Sequence, residues 1–474
     1  MLFNSYAFLV FLPLVFLLHW WAVRGSRRGQ NILIILASYV FYGWWDWRYL
    51  LLLFASSFTD YWLGIYIDQQ EEQRKRKRAL VLSLVFNLGI LGFFKYFNFF
   101  IDSAADLIRA FGMQPNLWSL RVILPIGISF YTFQSLSYTI EAYRRNFKPE
   151  RDPIAYLAFV SFFPHMVAGP IMRAIDLLPQ FQKARVFDAA KARDGMRQML
   201  WGFFKKVAVA DQCAVHVDRI FAMDPETTSG ATLFFGAVFF AFQIYGDFSG
   251  YSDIAIGCAR LFGIDLMRNF NYPYFSRSIG EFWQRWHISL STWFRDFLYI
   301  PLGGSRVPKA RHLLNLFTTF TVSGFWHGAN WTFIAWGALH GAAYVPEVLR
   351  GAKARAPHAT WKEIPLMVPV FLLVLVGWVF FRSPGIAEAG AHLVGVVANA
   401  RIHPGALLLW ARSPAMLLVY AMLLVEWWAR RRQHALEHLP LTTPLRWAVY
   451  MAIVLVTLYK LDLDAKTEFI YFQF

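Results

Sequence analysis

Apolar runs of spanning length alternate along this chain with short clusters of Arg and Lys, and that alternation predicts most of its elements. Tyr6–Val23 is the first run, and Arg24, Arg27 and Arg28 follow it. Cations next to a span mark its cytoplasmic end, so the N-terminus is expected outside. No basic n-region or small-residue cleavage site precedes the run, which therefore reads as a retained span rather than a signal peptide. Asn31–Trp44 and Tyr49–Asp68 form a pair around the aromatic turn Trp44-Trp45-Asp46-Trp47-Arg48, a composition suited to the membrane interface. The five consecutive cations Arg74–Arg78 then place the chain inside again. Leu80–Phe100 crosses outward, the more polar Ile101–Leu120 is expected as an external loop, and Val122–Tyr143 returns to Arg144, Arg145, Lys148 and Arg151.

The middle of the chain is less regular. Ala155–Ile171 is apolar but carries Pro164-His165 and Gly169-Pro170, and cationic segments flank it on both sides. This predicts a re-entrant hairpin, since broken backbone at membrane depth survives only against protein or a water-filled cavity. Met196–Val217 contains Lys205 and Lys206 and is expected partly in the interface. Ala231–Phe262, the longest apolar run, reads as interrupted by Tyr245-Gly-Asp-Phe-Ser-Gly-Tyr-Ser-Asp253. In Glu281–Pro301 aromatic residues recur among charged ones, the pattern of an interfacial amphipathic helix.

Leu313–Phe325 climbs away from Arg306, Lys309 and Arg311, and Trp331–Leu349 comes back to Arg350, Lys353 and Arg355. Thirteen helical residues rise roughly 20 Å, about two-thirds of a ~30 Å hydrocarbon core. His327 is thus expected at the turn of a helical hairpin, deep in the bilayer but reached from the cytoplasm. Ile364–Phe381 crosses outward, a short helix lies near Ala387–Ala400, Ala415–Trp428 returns to Arg430–Arg432, and Trp447–Tyr459 crosses last. The tail Leu461–Phe474 is expected outside, like the N-terminus. The sum is an all-α polytopic membrane protein: one domain over residues 1–474, with about eleven spanning or re-entrant helices and a core at 236–345.

Composition agrees. Of 474 residues, 57% are hydrophobic and 16% charged, against roughly 25% charged in a soluble domain. The net charge of +16 sits in the loops between apolar runs, so it reports topology and lipid contact rather than nucleic-acid binding. Cys213 and Cys258 are the two cysteines, too few for a disulfide framework or a cysteine zinc site.

Chemistry rests on the histidines. His312, His358, His434 and His438 lie beside basic loops and read as solvated, His19 and His216 are isolated, and His392 and His403 flank a short external segment and say little. His165, His287, His327 and His340 stand among Gly, Pro, Trp or Arg in apolar sequence. His327 and His340 are thirteen apart, which does not give the i, i+4 pair of a zinc-binding helix, and no metal site is expected. No Gly-x-Ser-x-Gly elbow or Walker loop occurs. General base catalysis remains: an imidazole can take the proton of a hydroxyl as its oxygen attacks an ester or thioester carbonyl. Trp326, Trp331 and Trp336 are expected to wall the pocket, and Asn330 offers an amide. Asp247 and Asp253 either orient a base or bond helix to helix. Lys205, Lys206, Arg285 and Arg295 are candidates to attract an anionic donor. A transporter that moves a donor without chemistry is the rival class; inverted repeats would favour it, and none is detectable.

Tyr245–Gly257, Asn271-Tyr-Pro-Tyr-Phe275, Glu281–Asp296, Tyr299-Ile-Pro-Leu-Gly-Gly304 and Phe325-Trp-His-Gly-Ala-Asn-Trp331 together resemble the membrane-bound O-acyltransferase (MBOAT) family, closest to its bacterial alginate O-acetyltransferase (AlgI-like) branch. Leu2-Phe-Asn-Ser-Tyr6 and Phe469-Ile-Tyr-Phe-Gln-Phe474 extend the likeness to both ends. The resemblance implies a ring of tilted transmembrane helices with re-entrant hairpins around a central funnel. It implies His327 as the catalytic histidine, His287 as a second functional one, and Tyr471 as a candidate acyl carrier. It also implies an inner-membrane enzyme with both termini periplasmic. Its donor would be acetyl-CoA with no bound cofactor, its partner a periplasmic SGNH-type acetyltransferase, and its acceptor a polysaccharide such as alginate. Peptidoglycan, cellulose or D-alanyl transfer to teichoic acid stay open as alternatives.

Overall fold

Several helices begin where the sequence supplies a capping side chain. Ser5, Ser26, Asp152, Ser278, Asn330 and Ser413 each accept a hydrogen bond from a backbone N–H in the first turn of the helix they precede, relieving an otherwise unpaired donor. Pro153 and Pro414 stand at the first helical position, where no N–H is needed. The computed structural model describes residues 1–114, 124–351, 358–461 and 469–470, and these are α-helical with no strand among them. Tyr49–Gln69, Gln73–Ala110, Gly230–Leu261 and Trp361–Arg382 are each long and apolar enough to cross a membrane.

The chain packs as two compact units. The first comprises Met1–Arg193 and Cys258–Met267. Its helices Tyr49–Gln69, Gln73–Leu91 and Ile128–Tyr143 meet around a carboxylate, Asp60, that is fully buried. Ser83 Oγ donates to Asp60 at 2.6 Å, Asn87 Nδ2 donates to both its oxygens at 2.9 and 3.1 Å, and Ser56 Oγ donates to Asn87 at 2.8 Å. Ser83 Oγ also lies 3.0 Å from Thr139 Oγ1; in a membrane protein such groups find partners within the chain, and this network ties three helices together. Residues 101–110 of the expected external loop at Ile101–Leu120 are helical instead. The helix Gln73–Leu91 continues through a π-turn, Gly92–Tyr96, into Phe97–Ala110.

The expected break at Ala155–Ile171 is present. Pro153–Ser161 ends at Phe162, Phe163–Met166 forms one further turn, and nearly every side chain from Ala155 to Met172 is buried. Gln134 Nε2 donates to Phe159 O at 3.3 Å and Ser38 Oγ accepts from Phe163 N at 3.0 Å, so protein satisfies the interrupted backbone. His165 belongs to this packing: its Nε2 lies 3.1 Å from Gln134 Oε1.

The second unit comprises Asp194–Gly257 and Arg268–Phe474. The helix Gly230–Leu261 runs 32 residues without interruption, about 48 Å, against the expected break at Tyr245–Asp253. Its polar residues are absorbed by packing instead. A Cβ on Gly250 would lie 2.7 Å from Gly202 O, so the two backbones approach as only glycine permits.

Candidate active site

His327 is the last residue of the helix Lys309–His327, which turns at Gly328–Asn330 into Trp331–Arg350. Asn330 makes the turn: its Oδ1 accepts from Thr332 N at 3.0 Å and its Nδ2 donates to Pro384 O at 3.0 Å. The two helices approach through glycine. A Cβ on Gly324 would collide with Phe333 O, and one on Gly337 with Phe320 O. The hairpin predicted from charge and length is therefore real, and His327 stands at its tip, 3% exposed.

Aromatic rings box the imidazole. Trp326, Trp336 and Phe381 lie 4.9, 5.1 and 5.5 Å from it, centroid to centroid. Trp336 and His340 share one face of the second helix, 5.0 Å apart, and Trp283 closes on His340 at 5.1 Å. Trp331 does not wall the pocket as expected: it is 54% exposed. Trp331 and Trp336 are five positions apart, which turns the two rings to different faces of the helix.

His287 comes from the segment expected as one amphipathic helix, and the structure corrects that expectation. Ile279–Arg285 stops, His287 adopts φ +43°, and Ile288–Phe294 begins a second helix that runs into a π-turn at Arg295–Tyr299. A left-handed non-glycine residue costs on the order of 1–3 kcal/mol, and here neighbouring backbone holds it. Asn271 N donates to Arg285 O at 2.9 Å and Ile288 N donates to Asn269 O at 2.8 Å. The kink delivers His287, fully buried, to within 6.4 Å of the His327 ring. Phe248 touches its other side at 4.6 Å.

A cavity of about 750 Å³ runs beside the first helix of the hairpin. Arg295, Tyr299 and His312 line it near the cationic loop, and Trp283, Phe320 and Ser323 line it toward the hairpin tip. Burial raises the Tyr299 hydroxyl above its usual range, which keeps it a neutral donor there. Ser323 precedes His327 by one helical turn, ~6 Å along the axis, so the cavity ends just short of the imidazole.

The remaining cations are already matched. Lys205 pairs with Asp253 at 2.7 Å, and Lys206 pairs with Asp247 and Asp211 at 2.8 Å each, all largely buried. Arg285 pairs with Glu281 at 2.7 Å. Arg295 is matched too, by Asp296 at 2.7 Å, but of the four candidates for drawing in an anionic donor it is the one that lines the cavity. Asp247 and Asp253 thus bind helix to helix. Asp247 Oδ2 also accepts from Ile470 N, at 2.6 Å. Tyr471 lies outside the described residues. His434, expected solvated, is buried, with Nε2 3.0 Å from Asp194. His392, expected as uninformative, is buried with Nε2 3.0 Å from Leu233 O. Asn269, Trp283 and Phe381 escaped the sequence reading because no spacing links them to His327.

Chemically, the arrangement provides two imidazoles in a buried aromatic box, next to a cavity large enough for an extended ligand. The family model for MBOAT, the membrane-bound O-acyltransferase family, matches residues 32–382. The Pseudomonas aeruginosa protein named "Probable alginate O-acetylase AlgI" is 45% identical over 82% of this chain and 73% of its own length. Its Azotobacter vinelandii counterpart is 44% identical over 82% and 76%. A peptidoglycan O-acetyltransferase of Helicobacter pylori is 36% identical over 84% and 80%. With such a match across both hairpin helices and the His287 kink, the chain belongs to the membrane-bound O-acyltransferase family and is a multi-pass membrane acyltransferase.

Proposed function

We propose that this protein passes an acetyl group from cytoplasmic acetyl-CoA to a hydroxyl on the far side of the bacterial inner membrane, for O-acetylation of an exported polysaccharide of the alginate type. The observation that carries the reading is His327, boxed by Trp326, Trp336 and Phe381, one helical turn past Ser323 in the wall of a cavity that Arg295 also lines. The thioester enters that cavity with its phosphates toward Arg295 and its acyl carbon toward Ser323. His327 removes the hydroxyl proton as oxygen attacks the carbonyl; the tetrahedral intermediate collapses, the C–S bond breaks, and the thiolate recovers the proton from the imidazolium. His287 is the second histidine of the site, and no bound cofactor or metal is required.

Both termini are periplasmic in this reading, and the acceptor is delivered with a periplasmic SGNH-type partner. Tyr471 is a candidate acyl carrier: its chain neighbour Ile470 is anchored to Asp247, beside Phe248, which touches His287. The Helicobacter pylori relative supports peptidoglycan as the alternative acceptor.

The test is incubation of purified protein with labelled acetyl-CoA, wild type against His327→Ala, followed by mapping of the label. Removal of a general base costs about 10²–10⁴ in rate. Transfer at the wild-type rate by a folded His327→Ala protein ends the proposal.

A further inference from the structure

Behind His287, and fully buried like it, lies Asn269. Its Oδ1 receives Ser289 N at 3.2 Å and Ser289 Oγ at 2.9 Å, and it stands 3.2 Å from His287 Nδ1. Its Nδ2 donates to Ser252 Oγ at 3.3 Å. These contacts decide a proton position that ring geometry alone leaves open. The Ser289 backbone N–H can only donate, so the amide atom facing it is the oxygen and not the NH₂ group. The same oxygen faces His287 Nδ1, and an oxygen lone pair opposite a nitrogen lone pair at that distance would be repulsive. Nδ1 therefore carries the hydrogen. The Ser289 hydroxyl is also within 3.5 Å of Nδ1, but its shorter contact to Oδ1 takes its proton.

We infer that Asn269 is a positioning residue that locks His287 in the Nδ1–H tautomer, so that His287 enters the acyl transfer as an acceptor through Nε2. A neutral imidazole has one donor and one acceptor nitrogen, and the amide spends the donor. The lone pair then lies on Nε2, in a ring whose centroid is 6.4 Å from that of His327, and it stabilises the positive charge His327 acquires on taking the hydroxyl proton. A second N–H there would oppose that charge. The kink serves the same end: Ile288 N donates to the Asn269 carbonyl at 2.8 Å, so one residue fixes both the left-handed backbone of His287 and its ring hydrogen. The inference rests on the proposed role of His327.

Phe248, Phe270 and Trp326 surround the His287 ring at 4.6, 6.3 and 6.4 Å, and His327 is the titratable group facing it. Asn269 also lines a small pocket with Lys205, Asp253, Arg268 and Glu426, of which Lys205 and Asp253 pair with each other. A charge introduced at position 269 acts on these groups and, through the direct contact of its oxygen with Nδ1, on His287.

Two variants test this with the purified full chain and labelled acetyl-CoA. Asn269→Asp keeps an acceptor for His287 and Ser289 but adds a negative charge, which favours the imidazolium. Its kcat stays within about threefold of wild type on the alkaline plateau, and the acid limb of its pH profile moves up by about one pH unit. Asn269→Leu keeps the size, loses the acceptor, and lowers kcat at least about tenfold with the donor KM unchanged, since one base-orienting contact is lost. A purely structural role would lower folded yield in both and leave the pH profile in place. An unmoved acid limb in Asn269→Asp overturns the inference, as does wild-type kcat in folded Asn269→Leu. If Asn269→Leu does not fold, the pH profile of Asn269→Asp decides alone. A wild type that transfers no label sinks the acetyl-CoA reading itself; an active wild type with indifferent Asn269 variants sinks only this inference.

Discussion

Replacing Asp253 by Ala separates the two roles open to the intramembrane carboxylates, orienting a base or holding helices. Lys205 and Asp253 meet at 2.7 Å, their side chains 4% and 16% exposed. Removing one partner of a buried pair costs about 3–5 kcal/mol, because the other charge stays desolvated and uncompensated. The Ser249 hydroxyl, 2.9 Å from the ammonium, and the Tyr245 ring at 5.7 Å retain part of its stabilisation, so the loss should fall near 3 kcal/mol. Thermal unfolding of the detergent-purified protein should show a midpoint lower by about 3 °C. The double variant Lys205→Met with Asp253→Leu removes both charges and should recover most of that fall, since an apolar pair of similar volume is often neutral or better. Acetyl transfer per folded molecule should stay near wild type in both. If Asp253→Ala melts with the wild type, or loses activity a hundredfold while remaining stable, the structural reading is wrong.

Ser323→Trp fills the inner end of the cavity one turn below His327; donor KM should rise at least tenfold with little change in melting temperature, and an unchanged KM in steady-state kinetics would show that the donor does not use this cavity. Trp331→Ala and Trp336→Ala make a contrast from one helix. The exposed Trp331 should be replaceable within about 0.5 kcal/mol, whereas the fully buried Trp336 should cost about 3–5 kcal/mol and most of the activity, as read by thermal unfolding and label transfer.

Legibility differed sharply between elements. Charge clusters and run lengths were enough to predict the hairpin Lys309–His327 and Trp331–Arg350, with His327 at its tip, because both signals are local. The break around Phe162 was equally readable, since Pro164 acts on its own neighbours. The unbroken helix Gly230–Leu261 was not. Gly, Ser and Asp in a row look like an interruption until Lys205, Lys206 and Gly202 supply their partners.

What the sequence determined by itself was therefore the all-helical membrane character, the helix ends set by Ser, Asp, Asn and Pro, and the one histidine left at the tip of its own hairpin. Tertiary structure alone decided that His287, forty positions away, would kink into a left-handed turn beside His327, that Asn269 would hold it there, and that Trp336 would face inward while Trp331 faced out. In water the buried face of a helix announces itself as the apolar one. In lipid both faces are apolar, so the sequence carries the crossing but not the direction in which each ring points.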